Sequence, residues 1–323
     1  GIQGILDWRK LMKLKSTYLD PWLTTHGRIH PDFNQVRQHG EEAEGATVTG
    51  RLSSSGPNFQ NVPIRTAEGR EVRSCVVAEE GHILASFDYK QLEWILAGCA
   101  AGEQKIIDAY TDPAKDIHTN TAMAIFDADK VTVNQRDIGK RVTYGWTYGA
   151  RAGKLAQTVG CTKREAEVYF RRFENEYAHL VDWRWNEVEL AKQRGYAMTL
   201  WGRRRYIPGL TAAQNDYEFY EAAKLAFNMY PQGTAADICK LAVVKVATYL
   251  DSLGYNTPTT GIIAVVHDEI LIELPVDALT NDLKHAIIAL MQEAGNGLTK
   301  AHRLPITLGV NVKIGKSWGQ MEG

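Results

Sequence analysis

Strand-like segments occur toward the two ends of this chain, and the stretch from Lys90 to about Gly195 reads as helix almost throughout. A helical block of that length lacks the regular strand–helix alternation of a parallel doubly wound sheet. It implies an α+β fold, in which strands from both ends flank a long helical insertion. On the N-terminal side, residues 20 to 70 are rich in Pro, Gly, Ser and Asn and read as extended loop with short strands. "EVRSCVVAEEGHILASFD" reads as a hairpin around Glu79-Glu80-Gly81, with its second strand ending at Asp88. Past the insertion, "YAMTLWGRRRYIPGL" reads as a hairpin turning at Gly202. Helical patterns return at 212–229 and 233–252, where Ile238, Leu241, Ala242, Val246 and Tyr249 form a core stripe. A strand pair around Asp268, a helix near 280–294 (Leu283, Ile287, Leu290 and Met291 on one face) and a last strand at 306–314 complete the pattern.

With 323 residues the chain can form one large domain or two smaller ones. Its formal net charge of −1 lacks the basicity of many nucleic-acid binders, so any such role needs segregated charge. "KREAEVYFRRF" (163–173) and "GRRRY" (202–206) are candidates, although each also reads as a solvated face. Cys75, Cys99, Cys161 and Cys239 are scattered without a C-x-x-C pair, which points to reduced thiols in a cytoplasmic protein and away from zinc. No apolar run reaches membrane-span length, and the first residues lack a signal peptide's apolar core.

Charge stands out in "VVHDEILIELP" (265–275), where His267-Asp268-Glu269 interrupts two apolar runs. A solvated hairpin turn accounts for acids there. A metal site also accounts for them, provided a partner carboxylate exists. Asp88 is that candidate, at the end of the apolar strand in "HILASFDYKQLEWILAG". Asp88 followed by Gln91 also resembles a helix N-cap, the commoner use of such a residue. A cap leaves Asp268 unexplained, whereas two aspartates on strand ends suit magnesium bound by carboxylates together with substrate phosphates. In "NQRDIGKRVTYGWTYGA" (134–150), Arg136, Lys140, Tyr144 and Tyr148 recur every four residues and share one broad helical face. A solvated helix explains the cations but neither the aromatics nor mid-helix Gly139, which costs about 1 kcal/mol relative to alanine. A triphosphate along the cationic half, with a base or sugar against Tyr144, accounts for all of them.

Together these segments resemble the polymerase unit of the family A DNA polymerases. "FDYKQLEW" is similar to the first catalytic motif, "RDIGKRVTYGWTYG" to the nucleotide-binding fingers helix and "VVHDE" to the second catalytic motif. The likeness extends in family order through "LKLKSTYLDP", "TGRLSSSGPNFQNVP", "DIHT", "GRRRYIPGL" and "NMYPQGTAAD". It implies a right-hand fold: an antiparallel-sheet palm, largely helical fingers inserted in it, and a remnant of the thumb. The implied boundaries are 1–93 for thumb remnant and first palm segment, 94–223 for fingers and 224–323 for the second palm segment.

The resemblance further implies template-directed addition of deoxynucleotides to a primer 3′-OH, with two Mg2+ ions for which Mn2+ can substitute. It assigns Asp88, Asp268 and the Tyr89 carbonyl as metal ligands and Glu269 as an auxiliary acid. Arg136, Lys140 and His118 are assigned to the triphosphate, Lys140 also as proton donor to the leaving pyrophosphate. Tyr144 is placed by the nucleotide sugar, Gln91 joins the nucleotide-binding set, and Glu93 with Tyr148 disfavours a ribose 2′-OH. Arg51, Asn58, Gln60, Asn228, Gln232 and His267 are assigned to primer and template. Minor-groove contacts of that kind test pair shape without reading sequence. The chain departs from the pattern at Lys90, Trp94, Ile95 and Val265. The short stretch before "STYLDP" implies that most of the thumb and any exonuclease domain lie outside this chain, with upstream domains or a processivity partner supplying them. Two other readings fit similar aspartates: a single-subunit RNA polymerase or reverse transcriptase, and a non-catalytic DNA-binding remnant.

Overall fold

The computed structural model describes residues 2–24, 27–36, 47–64, 66–297 and 304–323. In chain order, helix α1 (Ile2–Leu14) runs through a π-helical stretch (Lys15–Leu19) into α2 (Asp20–Leu23). Strands β1 (Asp32–Asn34) and β2 (Ser53–Ser55) pair with each other, and α3 (Ala67–Ser74) precedes β3 (His82–Tyr89). Seven helices follow: α4 (Leu92–Ala101), α5 (Gln104–Thr111), α6 (Ile117–Phe126), α7 (Val133–Thr147), α8 (Ala152–Val159), α9 (Lys163–Glu176) and α10 (Ala178–Arg194). The short pair β4 (Tyr196–Met198) and β5 (Arg204–Tyr206) leads to α11 (Gly209–Ala212) and the long α12 (Asp216–Ser252). Strands β6 (Gly261–Val266) and β7 (Glu269–Pro275), α13 (Asn281–Ala294) and β8 (Val310–Gly315) close the chain. The fold is α+β, and among the described residues no helix is long and apolar enough to cross a membrane.

The chain divides into two compact units. The first comprises Gly1–Lys90, Ala236–Arg303 and Thr307–Gly323; the second comprises Gln91–Ala235 with Leu304–Ile306. At the centre of the first unit is an antiparallel sheet of order β6-β7-β3-β8, so that β3, contributed by the N-terminal part, sits between two strands from the C-terminal part. Period-two alternation gives this sheet two apolar faces. Leu84 and Leu271 pack with Trp22, Phe59 and Trp318, the last two stacked at 4.8 Å. On the other face Phe87, Ile270 and Ile272 are buried, and Tyr89 donates from its hydroxyl to the Met291 carbonyl of α13 at 2.6 Å.

The second unit is helical apart from the β4–β5 pair. Its start signals are local: Thr132 with Gln135, and Thr162 with Glu165, form reciprocal capping boxes for α7 and α9. An aromatic core of Trp94, Trp146, Phe173 and Tyr177 joins α4, α7 and α9.

Several sequence expectations are corrected. The expected hairpin at 79–81 does not form: "EVRS" belongs to α3, capped by Thr66, and Val77 makes only an isolated bridge to Ser317. The cap outweighs the β-branched valines that suggested a strand. The helices expected at 212–229 and 233–252 are one helix, α12, continuing through Pro231. Proline removes one backbone donor, but burial of Pro231, Ala235 and Ala236 favours continuation over a break. The last strand begins at Val310 rather than 306. The hairpin at Gly202 forms as expected, with Gly202 at φ 84° where a side chain would be strained.

Candidate active site

Register brings the acids of the first unit together. Asp88, near the end of β3, faces Glu269 on β7 and Asn311 on β8. Asp268 precedes Glu269 in the two-residue turn between β6 and β7, and its carbonyl accepts from the Tyr89 amide at 3.3 Å. His267, the other turn residue, holds the left-handed conformation at φ 58°, uncommon outside glycine and asparagine. Asp88 is open to solvent at the sheet surface, but the protein packed around it withdraws water from its charge. That desolvation, with the Glu269 and Asp268 carboxylates, pushes its pKa up to about 7, against the pull of Lys313. The N-cap reading of Asp88 falls: the residue lies within β3, and the N-cap of α4 is Gln91, left-handed at φ 43° with no side-chain cap bond.

Two of the acids are held by neighbours that the sequence did not link to them. Glu269 accepts from Ser86 Oγ at 2.6 Å and from Trp318 Nε1 at 3.3 Å, and Arg73 stacks on the Trp318 ring at 3.9 Å. Asp268 pairs with Arg51 at 3.0 Å, and the buried Cys239 thiol lies 3.9 Å from the same oxygen. Ser86 is the one with a readable signal, two positions before Asp88 and so on the same strand face.

In the second unit α7 presents the expected stripe. Arg136, Lys140 and Tyr148 are exposed and Tyr144 is half-buried, its ring stacked with that of Tyr148 at 6.3 Å and 11°. His118, on α6, packs against Tyr144 with ring centres 5.7 Å apart. It is 4% exposed, and burial pulls its pKa down to about 4, so it stands neutral at pH 7. Arg136 donates to Asp116, which also caps α6. Burial would raise the Asp116 carboxyl, but bonds from Arg136, Thr119 and the His118 amide hold it down at about 2. Asp116 lies inside "DIHT" and escaped notice because only the histidine carried a role. Gly139 needs a correction. A Cβ there would lie 2.7 Å from the His118 carbonyl and 2.9 Å from the Ala122 methyl, so close packing of α6 on α7 explains this glycine without any ligand.

A model of the family described as DNA polymerase family A matches residues 1–320. The chain belongs to that family.

It is 39% identical to a thermostable DNA polymerase I of Thermus filiformis, over 98% of this chain and 36% of that protein. It is 36% identical to DNA polymerase I of Deinococcus radiodurans, over 97% of this chain and 31% of that protein. A solved POL domain of Pol1 from M. smegmatis, in complex with DNA primer-template and dNTP, is similar with a TM-score of 0.84 and 33% identity, covering 98% of this chain and 53% of that one. The chain therefore spans about a third of the length of these curated relatives. The expected family and the α+β fold with an antiparallel sheet are borne out.

The remaining residues that the family resemblance singled out are placed as follows. Glu93 is buried in the first turn of α4. Gln60 is buried and donates to the Val265 carbonyl at 2.8 Å, while Asn58 Oδ1 accepts from the amides of Gln60 and Asn61 in a local turn. Gln232 is half-buried, and the Asn228 carboxamide oxygen is buried in the second unit. For a divalent ion, the donor set of the first unit fits: hard carboxylate oxygens on strand ends, one with its pKa raised by desolvation and by the neighbouring carboxylates. Among the described residues no three His, Cys, Asp or Glu side chains form a closed metal cage. An ion held by one or two carboxylates and completed by substrate phosphates needs none.

Proposed function

We propose that the chain adds deoxynucleotides to a primer 3′-OH under the direction of a template strand, releasing pyrophosphate. The observation that carries this reading is the register pairing of Asp88 with Glu269, with Asp268 adjacent, in a member of DNA polymerase family A. The first unit is the palm and the second the fingers in this reading. Asp88, Asp268 and the Tyr89 carbonyl would hold two divalent ions, Mg2+ in the cell with Mn2+ able to substitute. When bound, these supply activation of the attacking oxygen and neutralisation of charge on the phosphates.

The other roles belong to the chain's own side chains. Arg136 and Lys140 bind the triphosphate, Arg136 exchanging the Asp116 carboxylate for phosphate, and Lys140 donates a proton to the departing pyrophosphate. His118, neutral in its buried setting, offers a ring N–H without adding charge. Tyr144 lies by the sugar, with Glu93 and Tyr148 disfavouring a 2′-OH. Within the first unit Arg51 releases Asp268 as it engages the primer–template, with Asn58 and His267 as further contacts and Gln60 held by its bond to Val265. Within the second unit Asn228 and Gln232 contact the primer–template. The test is primer extension with deoxy- or ribonucleotides, with and without chelation of divalent metal. Template-matched extension with deoxynucleotides that stops on chelation is expected. Equal use of ribonucleotides would convert the reading to RNA synthesis, and absence of any templated addition would end it.

A further inference from the structure

Arg184 of α10 carries a guanidinium into the interior of the second unit, where the residue is 4% exposed. Two aromatic faces flank it: its central carbon lies 3.7 Å from the centre of the Phe227 ring and 4.3 Å from that of Trp146. Nη1 donates to the Trp146 carbonyl at 3.2 Å, and the Tyr220 hydroxyl is a second hydrogen-bond partner of the guanidinium. Burial lowers its pKa to about 10, with Tyr220 and Glu174 acting in the opposite direction, so the group stays charged at neutral pH.

A desolvated cation is a costly way to fill space that a methionine would fill without charge. Its hydrogen bond to the Trp146 carbonyl shows what the charge is for. Trp146 lies in the last turn of α7, where backbone carbonyls lack helical partners and carry partial negative charge. Its carbonyl also accepts from the Gly149 amide at 2.9 Å, and its indole Nε1 donates to Glu174 of α9 at 2.9 Å. Arg184 therefore completes a grip that holds this turn by both its backbone and its ring. Two residues on either side of Trp146 are Tyr144 and Tyr148, the stacked pair on the exposed face of the same helix.

We propose that Arg184 is a positioning residue for the nucleotide-binding face of α7: gripping Trp146 between α10 and α12, it fixes the turn that presents Tyr144 and Tyr148 to the incoming nucleotide. This rests on the nucleotide-binding reading of α7 given above. Losing the grip weakens nucleotide binding and leaves primer–template affinity and the chemistry at Asp88 and Asp268 in place.

The test compares wild type with Arg184→Met, which keeps much of the stem's length and bulk but removes the charge and the planar fork. Titration calorimetry with dATP, and steady-state extension on one primer–template, are measured together with the melting temperature. The expected result is a tenfold or greater rise in dATP Kd and in KM, with kcat within threefold. Arg184→Lys, which can reach the carbonyl but cannot lie flat between two rings, falls between the two. A KM within twofold of wild type in Arg184→Met, whatever the melting temperature does, overturns the proposal and leaves Arg184 a packing residue. If Arg184→Met does not fold, Trp146→Phe keeps the carbonyl and narrows the stacking face; a threefold rise in KM is expected, and an unchanged KM overturns the proposal. A wild-type chain that binds no dATP overturns the nucleotide-binding reading itself, whereas normal wild-type binding with an unaffected Arg184→Met overturns only the role of Arg184.

Discussion

In the first unit the acids sit on a strand end and a two-residue turn, where pairing register decides how closely they approach; in the second, the cations sit on a helix whose four-residue period sets their common face. Asp88 and Glu269 are cross-strand partners and cannot move apart without a register slip that would also turn every buried side chain of β3 to the other face. Arg136 and Lys140 have long, exposed side chains that can swing and exchange partners. Each unit meanwhile shields its charge. Asp268 is paired with Arg51 and Asp88 has a raised pKa, while Arg136 is paired with Asp116 and His118 is kept neutral. Under the proposed function, this difference assigns all-or-none chemistry to the first unit and graded binding to the second.

The largest effect should come from breaking the rigid side. Asp88→Ala and Asp268→Ala are each expected to lower extension about a thousandfold or more, because neither acid has a substitute at its position. Their stabilities should differ. Asp88→Ala removes a carboxylate crowded by Glu269 and Asp268, so its metal-free melting temperature should hold or rise. Asp268→Ala removes the carboxylate paired with the half-buried Arg51, so its melting temperature should fall. Extension within about tenfold of wild type in either variant, at saturating magnesium, would defeat the metal-ligand assignment.

A smaller effect sharpens the helical side. The folded pKa of His118, about 4, lies below the ordinary 6.5, so between these values the unfolded chain binds the proton and the folded one does not. The stability this contributes is present above pH 6.5 and is lost as pH falls toward 4. At pH 4.5 the loss is about 2 kcal/mol, because one proton bound only by the unfolded chain costs about 1.36 kcal/mol for each pH step of one across that window. His118→Phe should remove that part of the acid sensitivity in urea titrations at pH 7 and 4.5, and an unchanged pH dependence would show that the ring is not desolvated.

The smallest effect concerns Tyr144. Its hydroxyl can take the place of a missing 3′-OH when a dideoxynucleotide binds, through a hydrogen bond worth about 0.5–1.5 kcal/mol net. Tyr144→Phe is therefore expected to reduce dideoxy relative to deoxy incorporation about tenfold in a competition assay. A ring that merely packs would leave the ratio unchanged.

What the sequence made legible follows from the same contrast. The α7 stripe was readable because helical spacing is local. Asp88 and Asp268 were identifiable as strand-tip acids, but their partners were not. Arg51, Ser86, Trp318 and Cys239 reach these acids only through long-range pairing, which leaves no periodic trace. Gly139 was attributed to a bound triphosphate because a packing contact between α6 and α7 is invisible along one chain. Val72 to Val77 suggested a strand because β-branched residues favour one, yet the Thr66 cap and burial of Val72 and Arg73 produced a helix that runs to Ser74 and leaves Val76 and Val77 outside any strand.

The division of labour itself is tested most directly by single-turnover incorporation of one matched deoxynucleotide by Asp268→Asn and Arg136→Ala on the same primer–template. Asp268→Asn should lose about a thousandfold in maximal rate with the apparent nucleotide Kd within a few-fold of wild type. Arg136→Ala should show a Kd about ten- to a hundredfold weaker, as expected for one charge-assisted bond of about 1.5–3 kcal/mol, with a far smaller loss of rate. The reverse pattern, or a wild-type chain that incorporates nothing, would contradict the assignment of chemistry to the strand-tip acids and of nucleotide binding to α7.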